Sequence, residues 1–169
     1  AGIITTNKKR VFDSLIKLRN LGSKKKFIHS EVGYNSRLDT IQASILLNKL
    51  KTLNQLNLKR KKIAKIYNEK ICNNKLTKLN TSEGCVFHQY VILVNNPKKF
   101  RKYLEKKGIP YGRHYPYPLH KLHAVKKMFK NQKYIYSEKL ATNGTSLPIS
   151  PMLNNKQINK VVKVLNNFN

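Results

Sequence analysis

The clearest hydrophobic pattern lies near the end of the chain, where Ile158, Val161, Val162, Leu165 and Phe168 recur at three- and four-residue steps. That spacing predicts an amphipathic helix burying one stripe. Asn154 stands where an N-cap is needed, Gln157 completes a capping-box pattern, and Leu153 can staple Ile158. A far longer helix is predicted from Asp39, a good N-cap, with Ile41, Ile45, Leu50, Leu53, Leu56, Ile63, Ile66 and Tyr67 on its apolar positions. A helix of about 30 residues spans about 45 Å, more than one small core can cover. It is therefore expected to tie two bodies together or to line a subunit interface. Polar Asn54 and Asn57 and a drifting period argue against a coiled coil.

Shorter elements fill the intervals. Ala1 to Thr6 is apolar and β-branched and predicts a short buried strand. Asn7 can cap a helix whose Val11, Leu15 and Leu18 share a face, with Gly22 as its stop. Ser23 to Leu38 is basic and polar without periodicity and reads as a loop. Asn73-Asn74 and Asn80 to Gly84 are turn chemistry around a short strand, and Val86 to Val94 predicts another strand. Asn96 caps and Pro97 opens a helix carrying Phe100 and Leu104, closed by Gly108. Ile109 to Tyr117 is expected to be extended, since Pro110, Pro116 and Pro118 forbid a regular helix. Ser137 to Thr142 predicts a short helix leading to Leu147-Pro148-Ile149. Helices and strands alternate, but strands are few, so the fold class is α/β with an α+β C-terminal body.

The 169 residues suit one domain or a piece of a larger one, and a 40 % hydrophobic content is that of a globular protein. No apolar run approaches the roughly 20 residues of a membrane span. The first residues have neither a basic region nor a long apolar core, so they do not read as a signal peptide. They also lack an initiator Met, and the chain is expected to begin inside something longer. Cys72 and Cys85 have neither metal nor redox spacing, which makes a cytoplasmic location the default. A net charge of +28 invites a nucleic-acid reading. Against it, the basic residues are spread along the whole chain, and Lys outnumbers Arg 29 to 6. A basic nucleic-acid-binding domain stands as the alternative from a different class.

Among motifs with a known mechanism, P-loop, GxGxxG, HExxH and GxSxG patterns are all missing, and seven acids leave no carboxylate pair. His114, His120 and His123 crowd one segment, but Pro116 and Pro118 break helical ligand spacing, so they read as loop or pocket histidines and no metal is expected. Two segments hold more polar chemistry than packing requires. Gly33-Tyr34-Asn35-Ser36-Arg37-Leu38-Asp39 sets an amide and a guanidinium beside a helix start, which suits a phosphate as well as an ordinary turn and cap. Gly112 to His120 puts Arg113, His114, Tyr115 and His120 on a proline-stiffened loop that can aim polar groups at a ligand.

Together these segments resemble the DegT/DnrJ/StrS family of nucleotide-sugar aminotransferases, which depend on pyridoxal 5'-phosphate (PLP). The resemblance runs nearly end to end: Ala1-Gly2-Ile3-Ile4-Thr5-Thr6-Asn7, Leu18-Arg19-Asn20-Leu21-Gly22-Ser23, Gly33 to Ala43, His114-Tyr115-Pro116 with Pro118-Leu119-His120, and Ser146-Leu147-Pro148-Ile149. It implies the C-terminal part of a fold type I PLP-dependent transferase, with residues 1–39 a remnant of the PLP-binding large domain and 40–169 the connecting helix and small domain. It further implies a homodimer in which Asn35, helped by Arg37, reaches the cofactor phosphate across the interface. His114 and Tyr115 would line the sugar pocket, with Lys26, Arg113 and His120 as further substrate contacts. The implied partners are a nucleotide-sugar substrate and an amino donor, glutamate in most of the family. The Schiff-base lysine would precede Ala1, so none of the lysines here takes that part and the chain alone is expected to be inactive. A sugar dehydratase of the same family, with histidine in place of that lysine, is equally compatible with these residues.

Overall fold

The computed structural model describes residues 2–130 and 132–169, which divide into two compact units, Ala1–Thr52 and Leu53–Asn169.

The first unit is built on helix α1, Lys9–Leu18, and a two-stranded hairpin, β1 (Ser23–Lys25) and β2 (Ile28–His29). The buried strand expected at the start is not formed: residues 2–6 carry no regular structure, and Ile3 is 91 % exposed. Ala1, its first residue, lies outside the described residues. A strand needs a neighbour for its ladder, and among the described residues none pairs with this segment. Asn7 is not the cap either. The helix starts at Lys9 without a side-chain cap, after Thr6 Oγ1 accepts a bond from the Lys8 amide at 3.1 Å. The loop predicted over Ser23 to Leu38 contains the hairpin instead. Lys26 and Phe27 form its turn, with Phe27 at φ +67°. Sequence periodicity cannot flag strands this short.

Two glycines set the path of this unit. Gly22 lies at φ +75°, and a Cβ there would sit 1.6 Å from the Glu31 carbonyl oxygen. A Cβ on Gly33 would sit 2.0 Å from the Gly22 amide nitrogen. The two backbones touch, which only residues without a Cβ permit.

Helix α2 is the long helix predicted, Thr40–Lys70, and the Asp39 carbonyl accepts its first bond, from Ala43 at 2.8 Å. Its final turns give Ile63, Ala64 and Tyr67 to the core of the second unit. Before Thr52 its apolar residues are largely exposed, Ile41, Leu47 and Leu50 among them.

The second unit has a three-stranded antiparallel sheet of order β3-β4-β5, formed by Leu76–Lys78, Tyr90–Val94 and Gly144–Leu147. Around it lie α3 (Pro97–Lys106), α4 (Ile135–Asn143) and α5 (Asn155–Asn166). The strand predicted from Val86 is shorter than expected and starts at Tyr90. Phe87, at φ +53°, is in a left-handed conformation that no strand continues through. Within β4, Tyr90, Ile92 and Val94 face the core while Val91 and Leu93 face the other way. Phe100, Leu104, Ile158, Val161 and Leu165 complete the core from α3 and α5. Burying each such side chain contributes about 1.5–3 kcal/mol.

The capping box of α5 is present as expected: Asn154 accepts from the Gln157 amide at 2.9 Å, and Gln157 accepts from the Asn154 amide at 3.0 Å. The Asn73 amide group donates to the Leu165 and Phe168 carbonyls at 2.9 and 2.8 Å. It thereby closes the end of α5 against the turn after α2.

Candidate functional site

The register of the sheet decides which side chains are left for chemistry. Tyr90 pairs with Leu147, both core-facing, so the next pair, Val91 with Ser146, lies on the opposite face, as does Leu93 with Gly144. The segment after α3 then runs along the free edge of β5. Gly112 and Ser146 exchange both backbone bonds, at 3.0 and 2.9 Å. The proline-bearing loop beyond Gly112 and the side of α4 cover this face and enclose a cavity of about 360 Å³.

Arg113, His114 and Tyr115 line that cavity together. His114 Nδ1 lies 2.9 Å from Ser146 Oγ, and its ring sits over Gly112, where a Cβ would be only 2.9 Å from Cε1. Tyr115 is 74 % exposed, so its phenol is available to a ligand. Gln89, Ser137 and Ser146 add polar groups to walls made by Val91, Leu140 and Ala141. Sequence reasoning gave none of these a site role, although Ser146 opens one of the resembling motifs. Ser146 carried a signal in its position beside Leu147-Pro148, but only the register shows which way it faces.

His120 is placed differently. It does not line the cavity; its side chain is buried, with Nε2 3.1 Å from Glu138 Oε1 and its ring 4.8 Å from that of Tyr134. Glu138 also accepts from Lys121 Nζ at 2.7 Å, and these two contacts, Lys121 first, hold its carboxyl below the usual range. His123 is exposed, and no metal-holding cluster of His, Cys, Asp or Glu exists among the described residues.

Arg101 of α3 secures the cavity from behind. It is buried, and its guanidinium donates to Thr145 Oγ1 at 3.2 Å and to the Gly144 and Thr142 carbonyls at 3.0 and 3.3 Å. Burial, and then the neighbouring Arg113, lower its pKa. All three acceptors lie at the junction of α4 and β5, directly before Ser146.

In the first unit, Asn35 and Asn20 form an antiparallel bridge, and the Tyr34 amide donates to the Leu18 carbonyl at 2.6 Å. The Ser36 amide donates to the Arg19 carbonyl at 3.0 Å. Asn35 thus sits on a fixed backbone in the segment leading to α2, rather than in its first turn. The side chains of Asn35 and Arg37 are exposed and form no hydrogen bond among the described residues. Such a donor pair suits an anion such as a phosphate. Lys26 is exposed at the hairpin tip with Nζ 5.0 Å from the Phe27 ring centroid.

No helix among the described residues is long and apolar enough to cross a membrane. A family model described as the DegT/DnrJ/EryC1/StrS aminotransferase family matches residues 1–166. A dTDP-3-amino-3,6-dideoxy-alpha-D-galactopyranose transaminase of Aneurinibacillus thermoaerophilus is 36 % identical over 169 residues, covering 99 % of this chain and 46 % of that protein. The crystal structure of S. venezuelae DesV in complex with a ketimine intermediate aligns with a TM-score of 0.86 at 28 % identity, over 95 % of this chain and 44 % of that one. The structure of NtdA from Bacillus subtilis with bound cofactor PMP shares the fold, with a TM-score of 0.81 at 23 % identity, over 95 % of this chain and 40 % of that one. The chain thus spans less than half the length of these relatives.

Proposed function

Because this chain belongs to the DegT/DnrJ/EryC1/StrS aminotransferase family, we propose that it forms the C-terminal portion of a PLP-dependent enzyme that moves an amino group, from glutamate, onto a keto-sugar nucleotide. The observation that carries this reading is the cavity in which Arg113, His114 and Tyr115 converge with Ser146. Its volume of about 360 Å³ suits a sugar ring. Its polar groups can bond hydroxyls, and the Arg113 guanidinium can meet a diphosphate.

When bound, PLP supplies the electron sink for moving the amino group. On this reading the lysine that would hold PLP belongs to the part of the enzyme that this chain does not span, and the chain alone is expected to turn over no substrate. Asn35 and Arg37 fit the cofactor's phosphate: both present donors that are unpaired among the described residues, next to a backbone held at residues 34–36 by Leu18, Asn20 and Arg19. In a homodimer they would serve the neighbouring subunit. Lys26, at the hairpin tip, is suited to an anionic part of the substrate. His120 acts at a distance, through Glu138, which it shares with Lys121 beside the loop. The enzyme works in the cytoplasm, and its abundant lysines attract an anionic substrate without recognising nucleic-acid sequence.

Kinetics of the full-length enzyme test this reading. His114→Ala and Tyr115→Phe each remove one bond to the sugar nucleotide, which costs roughly 0.5–1.5 kcal/mol for a neutral partner and 1.5–3 for a charged one. KM should rise or kcat/KM fall, with the cofactor's absorbance spectrum unchanged. Parent kcat/KM in both variants, or loss of cofactor from either, would contradict it.

A further inference from the structure

Ser146 is the buried polar residue of the cavity that the proposed function leaves without a task. Its amide and carbonyl are both occupied by Gly112, so the residue is fixed in place and only its hydroxyl remains to be satisfied. Ser146 is 6 % exposed, and a buried hydroxyl proton requires an acceptor. Among the described residues its hydroxyl has one hydrogen-bond partner, His114 Nδ1 at 2.9 Å. A neutral imidazole has one donor and one acceptor nitrogen. If Nδ1 accepts from Ser146, the proton of the ring resides on Nε2, the nitrogen left for a ligand. The opposite tautomer would place two hydrogens toward one contact or leave the serine proton buried without a partner. The ring also rests over Gly112, where even a methyl group would collide with Cε1, so its seat is shaped as well as bonded.

We propose that Ser146 is a positioning residue whose hydroxyl donates to His114 Nδ1 and fixes the Nε2–H tautomer, so that the cavity offers a hydrogen-bond donor and selects ligands presenting a hydroxyl, keto or phosphoryl oxygen. The identity of the ligand as a sugar nucleotide rests on the proposed function; the role of Ser146 does not. His114 then binds as a donor and is not poised, in its neutral form, to take a proton through Nε2.

The test is imidazole nitrogen NMR on the intact, ¹⁵N-labelled 169-residue chain, at a pH well above the ordinary histidine pKa of about 6.5. Loss of signals in His114→Gln assigns the ring. The expected spectrum has a single tautomer, with Nε2 protonated and Nδ1 an acceptor. Ser146→Ala should lose that preference, giving a mixture or a reversal, while Ser146→Thr, which keeps the hydroxyl, should retain it. A His114 protonated on Nδ1 in the parent chain overturns the proposal, as does an unchanged tautomer in a folded Ser146→Ala. Should Ser146→Ala fail to fold, the parent spectrum still decides. Titrating the full-length enzyme with dTDP-glucose separates the two readings: failure to bind counts against a sugar-nucleotide cavity and leaves the nitrogen spectra to judge Ser146.

Discussion

The hydroxyl of Tyr67, near the end of α2, donates to the carbonyl oxygen of Pro148 at 2.8 Å. Tyr67 is wholly buried, and Pro148 follows directly on the strand that carries Ser146. One bond therefore ties the long helix to the segment beneath the cavity. Tyr67→Phe keeps the ring and leaves the Pro148 carbonyl without its donor, at a cost of about 1–3 kcal/mol. Urea denaturation should show a lowered midpoint at unchanged slope.

The same residue sets an alkaline limit. Tyr67 meets Tyr90 edge to face, with ring centroids 5.1 Å apart. Burial pushes the Tyr90 phenol from 10.0 up to about 12, and burial, then Tyr90, push Tyr67 upward as well. Both groups stay protonated in the folded chain where the unfolded chain has lost its protons. Their stabilising effect is complete below about pH 10 and is lost as pH rises through the folded values. Stability measured against pH should fall from about pH 10 upward, and Tyr90→Phe should flatten that decline. An equally steep decline in Tyr90→Phe would contradict this account.

Gly33→Ala should disrupt the first unit and spare the second. The added methyl would lie 2.0 Å from the Gly22 amide nitrogen, so the backbone must shift, at about 1–3 kcal/mol or more. Hydrogen exchange should accelerate at the Tyr34 and Ser36 amides, which bond Leu18 and Arg19, while amides of β4 and β5 keep their protection.

Asn35→Ala, in the full-length holoenzyme, should weaken cofactor binding by about 1.5–3 kcal/mol, the worth of a bond to a charged acceptor. Its backbone bridge to Asn20 does not use the side chain, so the fold should persist. Equilibrium dialysis of the cofactor with a circular dichroism control measures both. A monomeric enzyme with full affinity would contradict the proposed role of Asn35 across a dimer interface.

Asn73→Ala should cost about 1–3 kcal/mol, because two carbonyls at the end of α5 lose their donor together. For a chain of this size that corresponds to a fall in Tm of roughly 2–4 °C per kcal/mol, readable by calorimetry.

Elements with long or capped patterns were legible in the sequence. The capping box at Asn154 and Gln157 and the periodic residues of α2 and α5 need no distant partner to be recognised. The hairpin at Ser23–His29 and the late start of β4 were not, since one consists of strands of three and two residues around a two-residue turn and the other depends on a left-handed Phe87. At the site, a proline-rich loop bearing Arg113, His114 and Tyr115 stood out by its chemistry. Ser146, Gln89 and Ser137 did not, because small polar residues become cavity groups only when strand register and a covering helix turn them inward. Ile3 and Ile4 misled because an apolar run predicts burial but does not name the surface that provides it.

The order of the second sheet bears on behaviour at high concentration. With β3 at one end and β5 bridged by Gly112 at the other, the rim open to an incoming strand is three residues long. Lys78 ends that rim, its ammonium donating to the Asn68 and Ile71 carbonyls at 2.7 and 2.9 Å, and Lys75 stands just outside it. A second molecule adding its own strand there would bring one lysine-guarded border against another. Edge-to-edge polymerisation is therefore opposed by geometry and by charge at once, and concentrated solutions should resist fibril growth through this sheet most strongly at low salt, where like charges are least screened.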